Sequence, residues 1–148
     1  MWNNRGNERL AAWRKFRYMQ SLLPLDEQVK NAIKLWKDCH LGTTHYDFSN
    51  INDWPTPWEL IMEDSFDGFT RALGIAWTLI MTDGWENKEI KLRCYIDIEK
   101  SSHYFLVEIN DDLILNYHFD KPISRSTIPT GARLLCEYNF IDLLSKTK

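Results

Sequence analysis

Cysteine is scarce in this 148-residue chain: three residues, Cys39, Cys94 and Cys136, an odd number with no Cys-x-x-Cys spacing. That argues against a disulfide framework or a thiolate zinc site and fits reduced thiols in a cytoplasmic setting. An excess of positive charge is also missing. With a net charge of −3, the surface as a whole makes no case for nucleic acid. No run approaches the length of a membrane-spanning helix, so no membrane partner is expected. Met1 to Gly6 is polar and has no apolar signal-peptide core. Internal repeats and low-complexity tracts are absent as well. What the chain does have is aromatic mass. Seven tryptophans and 44% hydrophobic residues are enough to bury a real core, so the length reads as one domain, 1–148.

The first half is helical in period. Asn7 is placed to cap a helix from Glu8, with Leu10, Trp13, Phe16 and Leu23 on one side. Arg9, Arg14, Lys15 and Arg17 interleave with Trp13, Phe16 and Tyr18. This segment offers a face for an acidic partner, with an ordinary solvated face as the alternative. Pro24 breaks the run, Asp26 caps a second helix, and Val29, Ala32, Ile33 and Trp36 keep an i, i+3, i+4, i+7 stripe. The short connection predicts a helical hairpin over 1–38. Residues 39–53 lose periodicity and read as a loop that is either functional or pinned by aromatic anchors. His40 and His45 lie in it, but two histidines on a loop are too few ligands for metal, and they read as surface residues.

The chain is built around 54–83. Thr56, Pro57 and Glu59 form a capping box that opens a short helix, flanked by Trp54 and Trp58. Ser65 is a candidate cap for the next helix, which is apolar nearly all round and therefore central and buried. Gly74 in its middle implies the close approach of another element. The period then changes to two. Strands are expected over Ile90–Ile98, His103–Ile109, Leu113–Tyr117 and Leu134–Phe140, and Asn110-Asp111 turns a hairpin. Phe119 to Gly131 reads as a surface connection, and Ile141 to Ser145 as a tail helix or a frayed end. Cys94 falls on the core face of its strand, where it reads as a small buried hydrophobe. The fold class is α+β: a helical hairpin, then a central helix packed on an antiparallel meander of about four strands over 88–140.

That order resembles the core of the transglutaminase-like, papain-related superfamily. The resemblance implies a cysteine at the start of the central helix, a histidine opening a following strand, and an Asp or Asn beside it. The helix terminus and imidazolium would together lower the thiol pKa. Asp67 stands at the cysteine position, His103 opens its strand, and Asn116 is the third candidate. A carboxylate cannot form the thioester, so catalysis by the usual route is not expected.

A second resemblance runs from about Arg14 to Tyr117. Trp54-Pro-Thr-Pro-Trp-Glu-Leu-Ile61 and Ala72-Leu-Gly-Ile-Ala-Trp-Thr-Leu79 look like segments of small tailed-bacteriophage proteins. Several of those carry Cys-Asp where this chain has Asp67-Gly68. The resemblance implies a non-catalytic virion, baseplate or assembly component, located in the virion or host cytoplasm, with other phage structural proteins as partners and no cofactor or metal. Arg14, Trp13, Arg17, Tyr18, Trp54 and Trp58 are the expected interface residues, and Trp2 and Trp85 are further candidate anchors, the alternative being that the tryptophans simply fill a core with long loops packed over it. The alternative function is an atypical hydrolase or transferase, of peptidase or amidase type, using Asp67, His103 and Asn116.

Overall fold

The computed structural model describes residues 1–118, 120–128 and 131–143. Two helices open the chain, α1 (Gly6–Gln20) and α2 (Leu25–Lys37). They begin at Gly6 and Leu25 rather than at the caps expected from Asn7 and Asp26, because Arg5 and Pro24 are already extended and hold the N-cap positions. The short helix α3 (Pro57–Ile61) carries the predicted capping box, with the Glu59 amide donating to Thr56 Oγ1 and the Thr56 amide donating to Glu59. The central helix α4 (Gly68–Ile80) is buried from Phe69 to Leu79.

Trp36 of α2 is the reason Gly74 is a glycine. A Cβ at that position would fall 2.2 Å from the indole. Thr78, one turn on, supplies the polar counterpart. Its hydroxyl accepts from the indole N–H groups of Trp13 (3.1 Å) and Trp36 (2.9 Å) and donates to the Gly74 carbonyl. Two large aromatics are thereby buried with their only polar atoms satisfied. Trp2 closes the cluster edge-on to Trp36 and Phe66. Trp2, Trp13 and Trp85 are all core residues.

The sheet has five strands rather than four, in the order β4-β3-β2-β1-β5. They are β1 (Ile90–Asp97), β2 (Ser102–Ile109), β3 (Leu113–Leu115), β4 (Ile123–Ser124) and β5 (Ala132–Asn139). All neighbours are antiparallel, and β5 returns beside β1. The added strand, β4, comes from the segment read as a surface connection. Two residues are too short to show a period. Residues 119 and 129–130 of that connection lie outside the described chain. β1 stops at Asp97, which leaves Ile98 exposed, and β3 stops before Asn116, whose φ of +72° leaves the extended region. The turn between β2 and β3 is the one expected, with φ positive at both Asn110 and Asp111. A last short helix, α5 (Phe140–Leu143), begins one residue earlier than the predicted tail helix. Residues 144 and 145 of that prediction lie outside the described chain.

One face of the sheet lies on α4. The other carries a second cluster, Tyr95, Leu106, Ile114 and Ile123, beside a buried charge network. Glu108, with a fully buried side chain, meets Arg93 at 2.8 Å and Arg125 at 3.2 Å and accepts from the Tyr95 hydroxyl. With both carboxylate oxygens bonded, the charge is compensated as burial requires. No described helix is long and apolar enough to cross a membrane.

Candidate functional site

The candidate site lies where α4 begins. Asp67, not Ser65, is the N-cap, with an extended backbone and a carboxylate that accepts from the Thr70 amide at 2.9 Å. The Thr70 hydroxyl donates to the same carboxylate oxygen, and the Asp67 amide donates to that hydroxyl, which completes a capping box. The other carboxylate oxygen accepts from the Thr44 hydroxyl at 2.8 Å. Loop 39–53 is clamped alongside. Phe66 donates to the His40 carbonyl, Gly42 donates to the Phe66 carbonyl, and the Ser65 hydroxyl donates to the Thr43 carbonyl. Aromatic anchors hold the rest of the loop. The Tyr46 hydroxyl donates to Glu63 at 2.6 Å, and the Trp54 indole donates to the Phe48 carbonyl while its ring packs on Phe69 and Tyr138. Burial, followed by the Glu63 bond, raises the Tyr46 pKa well above that of a free phenol.

The three residues singled out in the sequence are only partly brought together. Asn116 does reach the start of α4. Its side-chain amide donates to the Gly68 carbonyl at 3.1 Å and to the Phe105 carbonyl at 2.8 Å. Its positive φ allows that reach, and asparagine is among the few non-glycine residues that tolerate it. His103 sits on the α4 face of β2 but is exposed. Its ring packs against Phe48 at 5.6 Å and stacks on Phe105 at 6.2 Å. Among the described residues no hydrogen bond or ion pair joins it to Asp67. The group over the helix start is Phe105: a Cβ at Gly68 would meet that ring at 3.4 Å. The side-chain position aimed from the helix start at the sheet is therefore Gly68, one residue after the cap, and a phenyl ring occupies the sheet side.

Sequence reasoning missed Thr44, Thr70, Phe48 and Phe105. The pattern Asp67-x-x-Thr70 is a legible cap signal. The aromatic contacts, by contrast, depend on how loop 39–53 folds back. Cys39 does not replace the absent thiol. It is buried in the core, and burial pushes its pKa up. His40 and His45 are exposed, and the described residues contain no group of three or more His, Cys, Asp or Glu side chains placed to hold a metal.

The expected interface residues divide sharply. Trp13 is 1% exposed, committed to Thr78, and unavailable as a surface anchor. Trp54 is half-buried under its aromatic neighbours. Arg14 is exposed, as are Tyr18 (65%) and Trp58 (42%). Arg17 lies over the Trp13 ring at 4.5 Å and the Trp58 ring at 5.9 Å, where burial and then the neighbouring Arg14 charge lower its pKa. Arg9, from the same basic run, is buried. Its guanidinium donates to the carbonyls of Asn4, Ile61 and Glu63 and ties the N-terminus to the end of α3.

A buried helix whose start faces an antiparallel sheet across a pinned loop defines an α+β fold, the one expected from the transglutaminase-like resemblance. The particular likeness is to Legionella pneumophila LapG. Three solved structures of that protein, one of them calcium-bound and another EGTA-treated, superpose with a TM-score of 0.72 at 15% identity. The match covers 93% of this chain and 77–78% of theirs. No protein-family profile matches this chain, and no curated protein sequence matches it either. At 15% identity the likeness establishes the fold alone.

Proposed function

We propose that this chain is a non-catalytic interaction protein built on a transglutaminase-like fold, serving as a virion, baseplate or assembly component of a tailed phage. The observation that carries the first part is the start of α4. No thiol is there, Asp67 is fully engaged as a cap and with Thr44, and Phe105 lies against Gly68, the next residue. An acyl-transfer mechanism needs a nucleophile and base within hydrogen-bond reach, and this arrangement provides neither partner to the other. The phage assignment rests on the resemblance of the Trp54–Ile61 and Ala72–Leu79 segments and is the finer part of the proposal. It places the protein in the virion or host cytoplasm.

The partner-facing surface in this reading is the exposed side of α1 and α3, where Arg14, Arg17 and Tyr18 border a shallow depression and Arg17 reaches the exposed Trp58. Aromatic and arginine side chains of this kind are the usual anchors of protein interfaces. The test is affinity purification of the tagged full chain from infected cells and from purified virions, beside a Tyr18→Ala/Trp58→Ala variant. Recovery of a defined set of tail or baseplate proteins with the wild type, lost with the variant, is expected. Recovery of the free chain alone overturns the assembly role. Turnover of amide or ester substrates that falls in His103→Ala overturns the non-catalytic reading.

A further inference from the structure

Cys94 and Cys136 are forty-two positions apart in sequence, yet they are direct partners in the β1–β5 register. Both lie on the sheet face turned toward α4, so their side chains stand opposite each other across the strand pair. Directly opposed residues of antiparallel strands have Cα atoms about 4.5 or 5.5 Å apart, depending on the pair type. Either spacing lies inside the range of about 4.4–6.8 Å that a disulfide requires. The Cβ atoms need to approach by roughly 1 Å at most. The strand that would move is the free edge strand β5, and its register already shifts beside this pair, between Cys94 and Tyr95 on β1. A bulge at that point gives the edge strand a local bend with which to close the gap.

We propose that Cys94 and Cys136 form a reversible cross-strand disulfide by exchange with low-molecular-weight disulfides of the oxidised-glutathione class. Cys136 is the entry thiol, since it is partly exposed while Cys94 is buried. Its thiolate attacks the small disulfide, forms a mixed disulfide and releases one thiolate. Cys94, after losing its proton to solvent, then attacks the Cys136 sulfur and displaces the second thiolate. Two protein thiols and one small disulfide thus give one intrachain disulfide and two small thiols. The two steps differ in ease. Burial and the facing Cys136 sulfur push the Cys94 pKa up to about 12, so closure is the slow step. Capping Cys136 as a neutral mixed disulfide removes the like-charge part of that penalty. Tyr138, two residues on and on the same face of β5, donates its hydroxyl to the Ser49 carbonyl, so the bond would form beneath the loop that borders the start of α4.

The test uses the native full chain in glutathione buffers of graded ratio, quenched with acid, denatured and alkylated. Expected are a transient adduct on Cys136, then a product that before alkylation is about 2 Da lighter than the reduced chain, having lost two thiol hydrogens. In that product only Cys39 is alkylated, a 94–136 linked peptide is recovered, and reductant restores all three thiols. In Cys136→Ser the native chain should form neither adduct nor link. Alkylation of all three thiols at every ratio overturns the proposal, as does a persistent Cys136 adduct that never closes, or a link through Cys39. Because linkage is mapped on the wild-type chain, the result does not depend on the variant folding.

Discussion

Alanine at position 74 sets two effects of opposite sign against each other, and their sizes predict the winner. In an exposed helix, Gly→Ala stabilises by about 1 kcal/mol. Here the new methyl carbon would sit 2.2 Å from two carbons of the Trp36 ring and 2.5 Å from a third. Ordinary contact needs more than about 1 Å of further separation. The ring has little freedom to yield: Trp36 is 0% exposed, Trp2 and Phe66 stand edge-on at 4.7 and 5.1 Å, and its N–H is held by Thr78. Overpacking of this kind costs about 1–3 kcal/mol. Displacing the indole also weakens a buried hydrogen bond worth about 1 kcal/mol net. With the alanine preference subtracted, Gly74→Ala is expected to destabilise by about 2 kcal/mol, a fall of roughly 4–8 °C in Tm for a domain of this size. Urea unfolding followed by tryptophan fluorescence and far-ultraviolet circular dichroism measures it, as a lower midpoint at unchanged slope. In a Trp36→Leu background the penalty should shrink or reverse, because the colliding ring is gone. A Gly74→Ala protein as stable as the parent, or a penalty that persists without Trp36, would refute the steric account.

Two other stability outcomes follow from named contacts. Thr78→Val keeps volume and β-branching but strands the Trp13 and Trp36 indole donors, each at a cost of about 1–3 kcal/mol, so a loss of roughly 2–6 kcal/mol is expected in urea unfolding; less than 1 kcal/mol would mean that water or another acceptor replaces the hydroxyl. Bonds from Lys91, then Arg93, outweigh desolvation and hold the Glu137 carboxyl below its ordinary value of 4.5. The unfolded chain therefore binds this proton more readily, and the contribution is present above about pH 4.5 and is lost as pH falls through the lower folded value. The stability difference between wild type and Glu137→Gln should accordingly shrink from about pH 6 to about pH 3, and a constant difference across that range would contradict the assignment.

The sequence by itself determined the elements that one residue pattern can specify. Helical stripes, the Thr56–Glu59 capping box, the alternation of Ile90, Leu92 and Cys94, and the Asn110-Asp111 turn are local signals, set by neighbours within a few positions. Gly74 even announced that something packs against it. Asp67 entered the candidate site only through a resemblance, as the residue standing where a transglutaminase-like core carries its cysteine. Only the tertiary structure decided which residues meet. Trp36 supplied the contact at Gly74, and burial withdrew Trp2, Trp13 and Trp85 from the surface. Asn116 was turned toward the start of α4 by a positive φ, Phe105 rather than His103 was set over Gly68, and β4 was recruited from an apparent loop. The pairing of Cys94 with Cys136 belongs to the same class. Each depends on contacts between distant segments, whose geometry is fixed by chain return and core packing rather than by any period within the sequence.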